Sequence, residues 1–281
     1  MNNSNLTMNG HSQNAAGIGG WSDSDTKTKW NISGNGNVTI NGSSVEMDGF
    51  RTISINATGL NGSVALFGKS TNGSGVKITK TEMSNVTISG SATGNGSGVD
   101  ISGDNTLTNT TVSGNGTDGA GVSISGNLSN SGNSTVTGNA SGNGTGVDIN
   151  GTVTGGDITG NASGNGNGVN ISGNITDGVI SGSATGNGAG VDISGDSTLI
   201  NTTVNGNGTD GSGVNISGNL TNSGNSTVTG NASGNGNGVN ISGNLTGDAG
   251  STVTGNASGN GTGVDINGTV TGGDITGNAS G

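Results

Sequence analysis

The sequence predicts an all-β fold, a right-handed parallel β-helix (β-solenoid), with about 22–25 residues and three short strands in each turn. Two observations support this prediction. An apolar–polar–apolar tripeptide such as Val99-Asp100-Ile101 returns at this step along most of the chain, and its period of two is that of a half-buried strand. Only 25% of the residues are hydrophobic, so each turn must bury a thin core against its neighbours.

Two regions differ in regularity. Residues 1–50 are predicted to be an irregular N-terminal region with the first strands, and residues 51–281 to be the repetitive rod. Large side chains near the start are expected to plug the open end of the stack. These aromatic residues are Trp21, Trp30, Phe50 and Phe67. Because Asn278–Gly281 matches the beginning of another repeat, we expect the chain to be a fragment of a longer protein.

Each unit carries three apolar positions, which predict three inward-facing stations per turn. At the first, Val and Ile enclose a polar residue: Val76-Lys77-Ile78, Val99-Asp100-Ile101, Val122-Ser123-Ile124, Val147-Asp148-Ile149, Val169-Asn170-Ile171, Val191-Asp192-Ile193, Val214-Asn215-Ile216, Val239-Asn240-Ile241 and Val264-Asp265-Ile266. The second is a single aliphatic residue: Leu107, Leu128, Val153, Ile175, Leu199, Leu220, Leu245 and Val270. The third comprises Ile88, Val112, Val136, Ile158, Ile180, Val204, Val228, Val253 and Ile275.

Loops rich in Gly and Asn, such as residues 138–144, follow the third station. Gly and Asn accept positive φ and form tight turns at low steric cost, so we expect these loops to use positive φ. At the first station the outward residues never place two Asp in successive turns. If the turns stack in register, this alternation avoids repulsion between like charges and predicts a ladder.

The charge distribution argues against nucleic-acid binding. The formal net charge is −11 and all six Lys and Arg lie in the first 80 residues, so the remaining surface repels phosphate. There is no Cys, which excludes disulfides and thiol chemistry. No apolar run approaches the roughly 20 residues of a membrane-spanning helix, so no membrane span is predicted.

The sequence offers little for catalysis or cofactors, and we expect neither an enzyme nor a metal site. His11 is the single His, so no pair of His can form a metal site. The Gly-x-Gly runs, for example residues 142–147, lack the Lys and the following helix of a phosphate-binding loop. Asp occurs about once per turn, and is often replaced by Asn, whereas calcium-binding repeats need Asp at a nine-residue step.

Asn-x-Ser/Thr sequons are abundant: roughly thirty of about forty-five asparagines lie in one. This density predicts a heavily N-glycosylated surface. The alternative is that turns favour Asn, strands favour Thr, and duplication multiplied the coincidence. The candidate glycosylation sites are Asn109, Asn115, Asn133, Asn139, Asn150, Asn174, Asn219, Asn231, Asn244 and Asn278.

The Gly-Val-Asp/Asn-Ile, Thr-Val-Thr and Gly-Asn-Ala-Ser-Gly-Asn-Gly patterns over residues 50–281 resemble the repeat regions of filamentous-haemagglutinin-like exoproteins. These are bacterial adhesins exported by two-partner secretion, and the likeness is greatest to the high-molecular-weight adhesin group. The resemblance implies a right-handed β-helix, an extended secreted or surface-bound adhesin, glucosylation of the sequons before export, and an outer-membrane secretion partner for the full-length protein.

Together these observations predict a non-enzymatic structural and adhesive rod, a repeat segment of a secreted or cell-surface bacterial virulence glycoprotein. Its expected partner is a host-surface glycan or protein receptor. The alternative is an ice-binding β-solenoid, because flat solenoid faces with stacked Thr-x-Thr can bind ice. The third station carries Thr135-Val136-Thr137 and Thr227-Val228-Thr229, but other turns replace these Thr by Asp, Asn or Val.

Overall fold

The protein is a parallel β-solenoid of about ten turns. The computed structural model describes residues 5–13, 17–19, 29–52, 54–79 and 82–281. Every strand pair in these ranges is parallel, and each strand pairs with its counterpart one turn away. The predicted all-β parallel solenoid is therefore confirmed, and its right hand stays a prediction from the geometry of parallel crossovers.

Three long sheets follow the rod, and we name them after their repeated residues. The Asn sheet contains β1 (Leu6–Ser12), β4 (Val38–Ser44), β7 (Val64–Ser70), β10 (Val86–Ala92), β13 (Thr111–Gly116), β16 (Thr135–Ala140), β19 (Asp157–Ala162), β22 (Val179–Ala184), β25 (Thr203–Gly208), β28 (Thr227–Ala232), β31 (Thr252–Ala257) and β34 (Asp274–Ala279). The Val-x-Ile sheet contains β2 (Ile18–Gly19), β5 (Phe50–Thr52), β8 (Val76–Thr79), β11 (Val99–Ser102), β14 (Val122–Ser125), β17 (Val147–Asn150), β20 (Val169–Ile171), β23 (Val191–Ile193), β26 (Val214–Ile216), β29 (Val239–Ile241) and β32 (Val264–Ile266). The Leu sheet contains β9 (Glu82–Ser84), β12 (Asn105–Thr108), β15 (Leu128–Ser131), β18 (Val153–Thr154), β21 (Ile175–Thr176), β24 (Ser197–Ile200), β27 (Leu220–Ser223), β30 (Leu245–Gly247) and β33 (Val270–Thr271). A separate two-stranded sheet pairs β3 (Lys29–Asn35) with β6 (Ser54–Asn61).

The core consists of apolar columns that run along the rod axis. Val99 pairs in register with Val122, which pairs with Val147, and all three are buried. Along each strand, buried and outward positions alternate, as the period of two predicts. The strands β1, β2 and β4, which precede residue 50, already belong to the Asn and Val-x-Ile sheets.

The aromatic residues do not all plug the end of the stack. Phe50 is buried in the core, directly above Val76. Phe67 points outward and is 42% exposed, because Leu66 occupies the inward position of β7. The plug prediction is therefore wrong for Phe67. Trp30 lies in β3, and Trp21 lies outside the described residues.

Glycine has a role that differs from the predicted one. In the Asn sheet, an inward Gly lies directly against the backbone of the Gly that precedes the Val-x-Ile strand. For example, a Cβ on Gly138 would collide with the carbonyl of Gly146. The glycines of the loop 138–144 do not have positive φ, so that prediction is wrong. These glycines permit close approach of two backbones. Positive φ occurs instead beside the Leu sheet, at Gly103 and Asn109, for example.

The second station does not form one continuous column. Leu107 pairs with the buried Asn130, whereas Leu128 pairs with the buried Asn105, so the aliphatic residue shifts by two positions along the strand. The same shift recurs four turns later: Leu199 pairs with Asn222, and Leu220 pairs with Ser197. The interior columns of the Leu sheet are therefore staggered: the column that begins at Asn105 is aliphatic from Leu128 to Leu199 and becomes polar again at Asn222.

Candidate functional site: the outer faces of the rod

The outward residues of the Val-x-Ile sheet form the predicted ladder. Lys77 Nζ lies 2.5 Å from Asp100 Oδ2 and forms an ion pair one turn away. Further along, Asn170 Nδ2 donates to Asp148 Oδ1 at 2.8 Å. Asn215 Nδ2 likewise donates to Asp192 Oδ1 at 2.6 Å. Amides alternate with carboxylates, so each carboxylate on this face has a donor or a neutral neighbour in the next turn.

The Asn sheet carries a second ladder, a column of asparagine amides on its outer surface. Asn139 Nδ2 donates to Asn115 Oδ1 at 3.1 Å, and Asn161 Nδ2 donates to Asn139 Oδ1 at 3.0 Å. Ser183 occupies the next position and interrupts the amides. Beyond it, the column continues with Asn207, Asn231, Asn256 and Asn278, and each amide in this second run donates to the preceding one at 2.8–3.0 Å.

A shallow groove follows this amide column. Two residues after each Asn from Asn139 onward, just beyond the end of the strand, a hydroxyl side chain lines the same groove. Two successive segments of the groove have volumes of ≈ 460 and ≈ 530 Å³. The hydroxyl residues that line them are Ser141, Ser163, Thr185, Thr209, Ser233, Ser258 and Ser280. Ser183 and Thr185 line both segments, so the two are continuous.

The N-terminal end of the same face has a different lining. Its concave surface has a volume of ≈ 530 Å³ and includes Phe67, Lys69 and Ser91. Ser91 pairs in register with Asn115, so this surface leads into the groove one strand further on. His11 also lines it, and its Nδ1 lies within hydrogen-bond distance of Ser43 Oγ, at 2.8 Å. Sequence reasoning missed this groove, although the Asn-x-Ser/Thr spacing on a strand contained the signal.

All ten predicted glycosylation sites lie at the surface. Nine are exposed, and Asn139 is half-buried. They fall into two main structural groups. Four belong to the amide column: Asn115, Asn139, Asn231 and Asn278. In five others the side-chain Oδ1 accepts a hydrogen bond from the following turn: Asn109, Asn150, Asn174, Asn219 and Asn244. Asn133 is exposed next to this second group, where its backbone N–H is the donor to Asn109.

Over the ranges given above, no group of three or more His, Asp and Glu side chains is placed to hold a metal ion. The same ranges contain no helix with the length and apolar character needed to cross a membrane. The candidate functional surfaces are the repetitive polar faces, because their side chains recur in register along the rod.

The register of the strands and the two ladders define the class of this chain: it is a β-solenoid repeat protein. Comparison of the chain with protein-family models, with curated proteins and with solved structures finds no match.

Proposed function

We propose that the chain is a non-enzymatic structural and adhesive rod, a repeat segment of a secreted or cell-surface bacterial adhesin. The observation that carries this proposal is the Asn sheet of twelve parallel strands, whose strands from β13 onward repeat a polar outer face with the asparagine column. An in-register solenoid resists bending because every strand is bonded to two neighbours, and an extended repetitive surface favours contacts with other surfaces. The charge-poor outer positions support a binding role over catalysis.

The proposal includes the expected partners. The full-length protein uses an outer-membrane secretion partner, and the rod binds a host-surface glycan or protein receptor. We expect no nucleic-acid partner, since the net charge of −11 repels phosphate. No membrane span belongs to the proposed rod.

Adhesion can be tested with the purified 281-residue chain. We expect fluorescently labelled protein to bind host epithelial cells or immobilised matrix in a saturable manner, and unlabelled protein to compete for the same sites. A scrambled-sequence protein of equal charge is unsuitable because it would not fold, so a structurally unrelated acidic protein of similar size serves as the control. If the chain binds neither surface above that control, it acts as a spacer and the adhesive part of the proposal is wrong.

Glycosylation is proposed for the sequons beside the Leu sheet. In Asn174, Asn219 and Asn244 the Oδ1 holds a backbone N–H of the next turn at 2.7–2.8 Å. This bond orients the amide and leaves Nδ2, the atom that carries the sugar, available. In Asn139 and Asn231, by contrast, Nδ2 donates to the amide of the adjacent strand, about 4.8 Å away, so a sugar on Nδ2 would crowd the neighbouring Asn of the column.

Peptide mapping of protein from the native organism tests this assignment. We expect hexose on Asn174, Asn219 and Asn244, and bare amides at Asn139 and Asn231. An intact mass equal to that of the unmodified chain would remove the glycosylation proposal. Sugar confined to the amide column would show that the hydrogen bonds of the fold do not select the modified sites.

Ice binding is the second candidate function, and one observation favours it. Thr229 pairs in register with Thr254, which pairs with Thr276, so short rows of Thr lie on the Asn sheet. Neighbouring turns place Asp157 and Val179 in the parallel Thr row. These interruptions break the regular hydroxyl lattice, so we expect no thermal hysteresis in dilute solution; a clear signal would favour ice binding over adhesion.

A further inference from the structure

The groove on the Asn sheet has uncommitted hydrogen-bonding capacity in every turn. An Asn side chain has two N–H donors and an oxygen with two lone pairs. Within the column, Asn139 uses one N–H toward Asn115 and one acceptor site toward Asn161. Each amide therefore keeps a donor and an acceptor for a molecule lying in the groove. The hydroxyl two residues later adds an acceptor, although Ser163 and Ser258 already donate their hydroxyl proton to backbone carbonyls at 3.4–3.5 Å.

The groove is electrically neutral over a long distance. From Asn115 to Ser280 its lining consists of Asn, Ser, Thr, Ala and Gly, with no ionisable side chain. The neighbouring Val-x-Ile sheet carries Asp100, Asp148, Asp192 and Asp265 on its outer side. An acidic polymer would meet this negative charge, whereas a neutral one would not.

An exposed aromatic ring lies at the N-terminal end of the same face. Phe67 is 42% exposed in a position where the other outward residues of its column are polar, namely Asn41 and Ser89. Among the exposed large apolar side chains of the described residues, Phe67 is the aromatic one. The Phe67 ring provides a flat surface for the C–H face of a sugar ring. Its location beside Ser91 places it at the entrance to the amide column.

We propose that this groove binds an extended, uncharged polysaccharide that lies along the rod axis, with Phe67 stacked against one sugar ring. The amides repeat at the strand spacing of about 4.8 Å, close to the length of one hexose residue in an extended chain. Each turn can therefore hydrogen-bond one sugar through its hydroxyls. This inference rests on the proposed adhesive function and names the class of ligand and the surface that binds it.

Ser183 provides the sharpest test, because it lies where the two groove segments meet and interrupts the amide column. Ser183→Trp blocks the groove, and Ser183→Asn completes the column. Thr154→Trp is the matched control: Thr154 is exposed on the Leu sheet, away from the groove. Phe67→Ala removes the proposed stacking surface. Far-UV circular dichroism and a urea midpoint establish that each variant folds.

Binding is measured by isothermal titration calorimetry of the full chain with a soluble neutral β-glucan, a soluble neutral α-glucan and polygalacturonate as the acidic polymer. We expect a neutral glucan to bind at least tenfold more tightly than polygalacturonate. We expect Ser183→Trp to weaken binding by about tenfold or more, the loss of one or two hydrogen bonds. Phe67→Ala should weaken it severalfold, Ser183→Asn should strengthen it, and Thr154→Trp should leave it unchanged.

Three results would overturn the proposal. Equal binding by Ser183→Trp and Thr154→Trp would place the polysaccharide elsewhere on the rod. A preference for polygalacturonate would contradict the neutral ligand. Failure of all three polymers to bind would remove the groove as a polysaccharide site. In that last case, saturable binding of the same protein to cells would still support adhesion. The calorimetric test of the groove can therefore fail while the test of the adhesive function succeeds.

Discussion

Replacing Gly160 by Ala is expected to lower the free energy of unfolding by about 3 kcal/mol. The new Cβ would lie 2.7 Å from the carbonyl carbon of Gly168 and 2.8 Å from Val169 Cγ2. The first group is backbone and the second is a methyl of a buried β-branched side chain with little rotamer freedom, so neither can easily move aside. The Asn and Val-x-Ile sheets would have to separate at this rung, which would weaken the pairing of both sheets. Urea unfolding followed by far-UV circular dichroism measures the loss.

Gly178→Ala is the matched control because it makes the same chemical change in the same rod. A Cβ at Gly178 would lie 3.4 Å from Ile175 Cγ2, an ordinary van der Waals contact, and its φ is not positive. We expect a gain of up to about 1 kcal/mol, since Ala restricts the unfolded chain. Equal destabilisation by Gly160→Ala and Gly178→Ala would mean that glycine serves chain flexibility and not close approach.

The different roles of the glycines show where the sequence is informative about the fold and where it is not. The Val-x-Ile tripeptides predict the strands and their register because burial imposes a period of two on local sequence. Gly138 and Gly103 look alike in the sequence, yet the first touches another sheet and the second adopts positive φ. That difference arises from the packing of one sheet against another, as between Gly138 and Gly146. The residues immediately around each Gly do not reveal this packing.

The Leu sheet shows a second limit. A repeat alignment places Leu107 and Leu128 at one station, but the strands pair them with Asn130 and Asn105. The register there is set by buried hydrogen bonds, such as that from Ser134 Oγ to the carbonyl of Leu107 at 3.0 Å. Buried Ser and Asn are not recognisable as interior residues from hydropathy. Polar residues recur at the equivalent positions four turns later, at Ser197 and Asn222. This recurrence was the signal in the sequence that these positions are structural.

The polar faces were partly predictable. The alternation of Asp with Ser and Asn around Val147 and Val169 correctly predicted the ladder, because pairing in register makes neighbouring outward residues predictable from the repeat. The groove was not predicted, since the Gly-Asn-Ala-Ser segments were interpreted as turns. In the structure Asn139 and Ala140 are the last residues of β16, and Asn139 and Ser141 line the same groove.

Ile171→Asp should have the largest effect of any single substitution considered, a loss of about 4–5 kcal/mol. Ile171 is fully buried and pairs with Ile149 and Ile193, which are buried as well. A carboxylate at this position has apolar neighbours in both adjacent turns and no cationic partner, and burial of an unpaired charge is strongly unfavourable. Because a solenoid turn contacts only its neighbours, unfolding should begin at this rung.

Asn170→Asp places the same carboxylate one residue earlier, on the outer side of the same strand. There it would stand between Asp148 and Asp192, so we expect a loss of about 1 kcal/mol that diminishes as salt screens the repulsion. The loss in Ile171→Asp should be insensitive to salt and should split urea unfolding into two transitions, one for each part of the rod. Similar losses for the two variants would contradict the assignment of Ile171 to a dry interior, and with it the stacked core on which both outer ladders depend.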